Sequence, residues 1–212
     1  MNPWTVASRY TVTAGSSSSQ NGHPESESAI AAPKCVYLSL STAAGMGPMP
    51  DLVIRPAVQD DFEQLWEFLA IAAYEPDSQA AKTLPHVAKY LVGWRRPGDF
   101  GFIAEQKGEV IGAAWARRFS AEELRVPYGD EEAPKVSIGV KANARGQGVG
   151  EKLMRALIGE AARHGLGLCL SVRSENPARR LYERLGFRDI PGSTATSRAG
   201  GMSIGMALEG RK

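Results

Sequence analysis

Long apolar runs, cysteine, histidine and an excess of either charge are all scarce in this sequence, and each shortage removes a class of function. No stretch approaches the roughly 18 apolar residues that a membrane-spanning helix needs, so no membrane partner is expected. Only Cys35 and Cys169 carry thiols, too few for a disulfide framework. Cys169 sits in the apolar run LGLCLSV and reads as a small buried hydrophobe. His23, His86 and His164 stand far apart, each reading as a solvated side chain, and no cluster of histidine and cysteine suggests a metal. The formal charge is +2, whereas a phosphate-binding face needs several clustered cations, so no nucleic-acid partner is expected. The opening MNPWTVASRY has neither the basic start nor the apolar stretch of a secretory signal. The expectation is a soluble, cytoplasmic protein.

What is present divides at about residue 50. Residues 1–50 contain SSSSQNG, ESES and AAGMGPMP without sustained periodicity. Such a segment buries too little apolar surface to offset its ordering entropy and is expected to be a disordered tail. Met46 and Met49, near its end, are candidate starts of translation. Residues 51–212 read as one α/β domain. Leu52 to Arg55 form a short strand ended by Pro56. Phe62, Leu65, Trp66 and Leu69 then mark one face of a helix capped by Asp60 or Asp61. Val87, Tyr90, Leu91 and Trp94 repeat that spacing. GFIAEQ and VIGAAWARRF form a hairpin turned at Lys107-Gly108-Glu109, and a polar loop leads to the strand VSIGV. A long helix from Gly148 to His164 buries Val149, Leu153, Ala156, Leu157 and Ala161 and stops at Gly165. GLCLSVR is a strand, Ala178 to Leu185 a helix, Phe187 to Ile190 a candidate short strand, and MSIGMAL the last strand. Hairpins joined to strand-helix-strand units imply a mixed sheet covered by helices.

The stretch VSIGVKANARGQGVGEKLMRAL runs a strand into a turn with Gly146, Gly148 and Gly150 and at once into a helix. Glycines let backbone N–H groups approach a ligand, and a helix N-terminus adds unpaired donors with a positive dipole end. Together with Arg145 this makes an anion site suited to a pyrophosphate, although the glycines alone fit an ordinary softened turn equally well. Two phosphate motifs fail. A P-loop needs Ser or Thr after its Gly-Lys, and here Glu151, Lys152 and Leu153 follow Gly150; the dinucleotide fingerprint fails because its third glycine comes one residue early.

What this segment resembles is the GNAT superfamily of acetyl-CoA-dependent N-acetyltransferases, whose signature of Arg or Gln, then x-x-Gly-x-Gly or Ala, is met by Arg145, Gly148 and Gly150. A second run, SENPARRLYERLGFR, is similar to that family's N-x-x-A/x-x-L-Y-E-x-x-G-F. The resemblance covers about residues 52 to 208. It implies an α/β fold with a mixed, mostly antiparallel central sheet, helices on both faces and a splay, produced at a bulge, between the two central strands. It implies acetyl-CoA as acyl-donor cosubstrate. The backbone of Gly146, Gln147, Gly148, Val149 and Gly150, with Arg145, would hold the pyrophosphate. Ile138 and Val140 would contact the pantetheine through their main chain, Asn176 would hydrogen-bond it, and Tyr182 would protonate the leaving sulfur. Singly, Asn176 followed by Pro177 suits a helix cap better than a ligand, and Tyr182 could simply pack.

In the implied reaction a neutral amine of a small molecule or peptide attacks the thioester, and a backbone N–H, that of Val140, stabilises the growing negative charge. Many relatives carry a glutamate base in a P-E-x-S-I-type run. Pro134-Lys135-Val136-Ser137 puts lysine there, leaving Glu131 and Glu132 as candidates within an acidic loop (Glu122, Glu123, Asp130, Glu131, Glu132) that as readily suits plain solvation. Tyr128, Trp115 and Tyr74 are unranked candidates for the acceptor site. A homodimer is a candidate assembly. An acyl-CoA-binding sensor of the same fold, without turnover, is the alternative function.

Overall fold

The computed structural model describes residues 51–120, 123, 133–196 and 201–210; residues 1–50 and Glu122, Tyr128, Asp130, Glu131 and Glu132 lie outside these. Strand β1 (Leu52–Pro56) leads into helix α1 (Phe62–Ala73). Asp61 stands at the cap position, but its carboxylate serves the preceding turn. It accepts the Val58 N–H at 2.7 Å and pairs with both terminal nitrogens of Arg55 at 2.8 Å. Leu65, Trp66 and Leu69 are buried as their period requires, with Phe68 beside them. The spacing of Val87, Tyr90, Leu91 and Trp94 predicts one longer helix, yet the chain forms two short ones, α2 (Ser78–Thr83) and α3 (Pro85–Ala88), followed by hydrogen-bonded turns. Pro85 opens α3, where its missing N–H costs nothing, and the positive φ of Gly93 and Arg95 prevents the helix from continuing. Val87, Leu91 and Trp94 are buried all the same, so the pattern located the core face and overstated the helix.

The hairpin of β2 (Phe100–Gln106) and β3 (Glu109–Arg117) turns at Lys107 and Gly108, both at positive φ, the two-residue geometry that matches strand twist. Then follow β4 (Lys135–Val140), α4 (Val149–Arg163), β5 (Leu168–Arg173), α5 (Arg179–Arg184), β6 (Arg188–Asp189), β7 (Ala195–Thr196) and β8 (Met202–Leu208). The strands lie in the order β1-β2-β3-β4-β5-β8-β6, with β7 also on β8, and every pairing is antiparallel except β4 with β5. The parallel pair follows from the crossover through α4. The two-residue strand β7 is too short to leave a periodic signal.

Two apolar cores hold helices on opposite faces. On one, Leu65, Phe68 and Leu69 of α1 meet Ile103, Ala113 and Trp115. On the other, Val149, Leu153, Met154 and Leu157 of α4 meet Ala104, Ala114, Ala116, Val136 and Leu170. Met154 is buried where Ala156 was expected, and Ala156 is half-buried. Gly139 lets α1 come down onto β4: a Cβ there would stand 2.4 Å from the Phe68 carbonyl oxygen.

The two edges of β4 are unlike. Six residue pairs, Gly112–Arg117 with Lys135–Val140, join it to β3 in unbroken register. One pair, Lys135 with Cys169, joins it to β5, along with a Cys169 N–H donated to Pro134 C=O at 2.9 Å. The expected splay is present, but the expected bulge is not in β4. The register break lies between β2 and β3, where Ile111 is the extra residue. Divergence of β5 suffices to open the gap.

Candidate active site

Peptide groups along β4 alternate in direction. The Lys141 N–H goes to Ile111 C=O at 2.9 Å on the β3 side, whereas Pro134 C=O faces β5. The N–H groups of Ile138 and Val140 therefore face the β5 side, beyond the point where the two strands pair. Val140 C=O, on that same edge, accepts from Arg145 Nε at 3.1 Å.

The chain then makes one 3-10 turn (Ala142–Ala144) and passes through Gly146 and Gly148, at φ 73° and 81°. Left-handed backbone is the reason for glycine at Gly146, where an added Cβ would meet nothing within 4 Å. Gly148 is the N-cap of α4, and Lys152 is the first residue to donate back, to Gly148 C=O at 3.1 Å. The amides of Gln147 through Glu151 thus precede the helical ladder, as at any helix start. Gln147 holds the turn by donating to Asn143 C=O at 2.7 Å. Gly150 faces Ile138, Val140 and Leu181, each 3.7–4.0 Å from where its Cβ would be, so the glycine leaves a cradle that alanine would fill. A cavity of about 230 Å³ at the β2–β3 turn lies apart from this cleft, and among the turn's glycine-rich residues only Gln147 lines it.

On the far side of the gap stand residues from β5, α5 and the segment between them. Asn176 Oδ1 accepts the Ala178 N–H at 2.9 Å, the helix-cap role its neighbour Pro177 suggested. Its Nδ2 reaches across to the Tyr74 hydroxyl at 2.6 Å. Tyr74 ends α1 in left-handed conformation (φ 61°), and the Arg173 guanidinium lies 3.8 Å from its ring centroid. Tyr182 is buried against Phe187, with ring centroids 6.0 Å apart. Its hydroxyl makes no hydrogen bond within the described residues. Burial, aided by Tyr74, pushes the phenol up to about 12, so it is a neutral proton donor throughout the neutral range.

The structure brings Ile138, Val140, Gly150, Asn176, Tyr182 and Tyr74 to the gap. Trp115 is not there. It is fully buried on the α1 face and donates its indole N–H to Tyr90 C=O at 2.9 Å. Glu123 belongs to a surface pair with Arg96 at 2.7 Å, and that guanidinium together with the Ser120 N–H holds its carboxyl below the usual range. Lys135 is buried opposite Arg117, which is itself buried and bound to Asp99 at 2.8 Å. Glu131, Glu132 and Tyr128 fall outside the described residues. Sequence reasoning missed Arg173: the run SVR showed an ordinary strand end, and Tyr74 lies about a hundred positions away.

The model of the acetyltransferase (GNAT) family matches residues 59–187. The chain belongs to that family. Membership makes it an N-acetyltransferase with acetyl-CoA as acyl donor, and the cradle at Gly150 and the open edge of β4 fit that donor. A curated relative, the 5-NmdU N-acetyltransferase of Pseudomonas phage PaMx11, is 28% identical over 136 residues, 64% of this chain and 86% of the phage protein. The fold is shared with the yncA acetyltransferase structure from Salmonella typhimurium, solved with its cofactor acetyl-CoA (22% identity, TM-score 0.58, 76% of this chain and 95% of that one). It is also shared with the ribosomal-protein-S18-alanine N-acetyltransferase of Escherichia coli (21%, TM-score 0.56, 76% and 95%). Among the described residues of this GNAT acetyltransferase no group of three or more His, Cys, Asp or Glu side chains is arranged to hold a metal, and no helix is long and apolar enough to cross a membrane.

Proposed function

We propose that the chain transfers the acetyl group of acetyl-CoA to a primary amine of a small molecule or peptide, by direct attack while both are bound. The observation that carries this reading is the open edge of β4, across the gap from Asn176 and from Tyr182, whose hydroxyl makes no hydrogen bond among the described residues. Bound acetyl-CoA supplies a thioester that an amine attacks, with the thiolate as leaving group. The amides of Gly146, Gln147, Gly148, Val149 and Gly150 hold the pyrophosphate, and Arg145 adds formal charge. Main-chain groups of Ile138 and Val140 and the Asn176 amide align the pantetheine arm, and alignment is the protein's largest contribution. Val140 N–H stabilises charge on the carbonyl oxygen. Tyr182 returns a proton to sulfur, and the pKa near 12 keeps that proton in place beforehand. Glu132 or Glu131 takes the proton of the amine. Residues 51–212 act as the acetyltransferase domain without residues 1–50. A reducing cytoplasm is the proposed setting, where a buried cysteine such as Cys169 stays in the thiol form.

The phage relative favours a second acceptor, 5-NmdU, as that protein's name states for it. A thiol-release screen over polyamines, amino acids, aminoglycosides, peptide N-termini and 5-NmdU tests both readings. Steady release with one class assigns the acceptor. Tight acetyl-CoA binding with no release from any amine would replace the enzyme by a sensor.

A further inference from the structure

Arginines inside this protein are almost all neutralised. Arg55 binds Asp61 and Glu105, Arg96 binds Glu123, Arg117 binds Asp99, and Arg179 binds Glu183 and Asp189. Arg118 is engaged as well. Arg173 is the exception. It is half-buried, yet among the described residues it is the one arginine so placed whose guanidinium makes neither an ion pair nor a hydrogen bond; it lies instead over the face of Tyr74. A guanidinium carries five donors in a planar fork, and withdrawing it from water without an acceptor is unfavourable. Stacking on an aromatic ring holds the plane and leaves those donors free at its rim.

Where the fork sits gives it meaning. Arg173 is the last residue of β5, three positions before Asn176. It shares its strand face with Cys169 and exposed Ser171, while Leu168, Leu170 and Val172 enter the core on the α4 side. Tyr74, under the guanidinium, is hydrogen-bonded to Asn176 and close enough to Tyr182 to influence its phenol. Hence a ring-backed guanidinium, without an acceptor among the described residues, stands on Tyr74, the same residue that neighbours the phenol proposed to serve the leaving sulfur. It lies on the α1 face, opposite the α4 helix whose glycine turn is the phosphate seat of the donor.

We infer that Arg173, held flat by Tyr74, is the acceptor-recognition residue of this enzyme, and that its amine substrates carry an anionic oxygen group, carboxylate or phosphate, within a side chain's reach of the amine. The inference rests on the acetyl-transfer reading above and narrows its substrate class. A carboxylate or phosphate accepts two parallel N–H bonds from the fork, which positions the amine as well as binding it.

The test pairs acceptors with and without the anion, each rate referred to the concentration of unprotonated amine: alanine with alaninamide, a γ-glutamyl amine with its amide, and 5-NmdU with its 5′-monophosphate. Wild type should favour the anionic member of at least one pair in kcat/KM by roughly tenfold to a hundredfold, the range for a charged hydrogen-bonded pair. Arg173→Gln should abolish that preference and leave the neutral member nearly unchanged, Arg173→Lys should restore part of it, and acetyl-CoA affinity should hold in both. The pair that responds distinguishes carboxylate from phosphate. Equal losses for both members of every pair, or no preference in the wild type, would overturn the inference while acetyl transfer stood. If no amine turns over, the transfer reading fails separately. Calorimetric binding of the same pairs to the complex with coenzyme A then decides, with discrimination lost in Arg173→Gln in favour and its absence against.

Discussion

The two edges of β4 make the most instructive comparison in the molecule. Toward β3 the strand is zipped over six residue pairs and backed by buried side chains, with Arg117 and Lys135 side by side at its start. Toward β5 it has one pair, and no pair joins the residues beyond Val136 to a strand on that side. One strand thus carries a conventional ladder and an unfinished one. Interrupted pairing costs stability unless something takes the vacant donors. The lesson is that fold and recognition can be separated on a single strand, so substitutions should sort by the edge they touch.

The largest effect belongs to the closed edge. Asp99→Ala strands the guanidinium of Arg117, which is fully buried and also donates to Lys89 C=O and Val92 C=O. Removing one partner of a buried pair costs about 3–5 kcal/mol, and urea denaturation should show it, with acetyl-CoA binding by the fraction that remains folded little changed. Loss of binding without loss of stability would break the division between edges.

On the open side, Tyr182→Phe should leave acetyl-CoA affinity nearly intact and reduce turnover about 10²-fold, the lower range for lost proton donation. The deficit should shrink as pH rises past the thiol's ordinary ~8.5, where the leaving group no longer needs a proton. A deficit constant with pH would mean that the ring's packing mattered and its hydroxyl did not. The same phenol sets a stability window. Its folded pKa is raised to about 12 from 10.0, so its contribution is complete below 10.0 and disappears as pH climbs through 12. Denaturation of the phenylalanine variant should lack that alkaline slope.

Gly148→Asp is expected to weaken acetyl-CoA by tenfold or more, about 1.4 kcal/mol, by setting a carboxylate where phosphate should lie. The left-handed φ of 81° adds modest backbone strain, which asparagine at the same site would share without the charge. Equal calorimetric affinity for the asparagine and aspartate variants would refute the phosphate seat. The smallest effect is expected from deleting residues 1–48. Melting temperature and acetyl-CoA affinity should both be unchanged, and a marked drop in either would make the tail part of the fold.

Much of this division was legible in the sequence because its cause is local. Three glycines between a strand and a helix specify a turn, and Leu65, Trp66 and Leu69 specify a buried helical face within one stretch of chain. The shortened second helix was missed because Val87, Leu91 and Trp94 keep helical spacing through turns that Pro85, Gly93 and Arg95 impose. Trp115 was a candidate for the acceptor site because an aromatic on a strand looks the same whichever face it takes, and its face is settled only by α1 packing there. The link between Asn176 and Tyr74 joins residues 102 positions apart, and no spacing rule reaches that far. That Arg173 has no acceptor among the described residues was hidden for a further reason: a missing partner becomes visible only after the neighbouring side chains have been placed.

The absence of a side chain at Gly139 determines how close the end of α1 comes to the open edge of β4. The Phe68 carbonyl is seated directly on that glycine, so α1 rests on β4, and six ladder pairs fix β4 to β3. β5 is tied as firmly to β8, by six pairs of its own, and to β4 by one. Across the gap the α1 side meets the β5 side at Tyr74, which holds the Asn176 amide at 2.6 Å and the Arg173 guanidinium over its ring. Pulling α1 away from β5 would break that hydrogen bond and lift Arg173 off its ring, so the closed cleft and the acceptor fork depend on the same tyrosine.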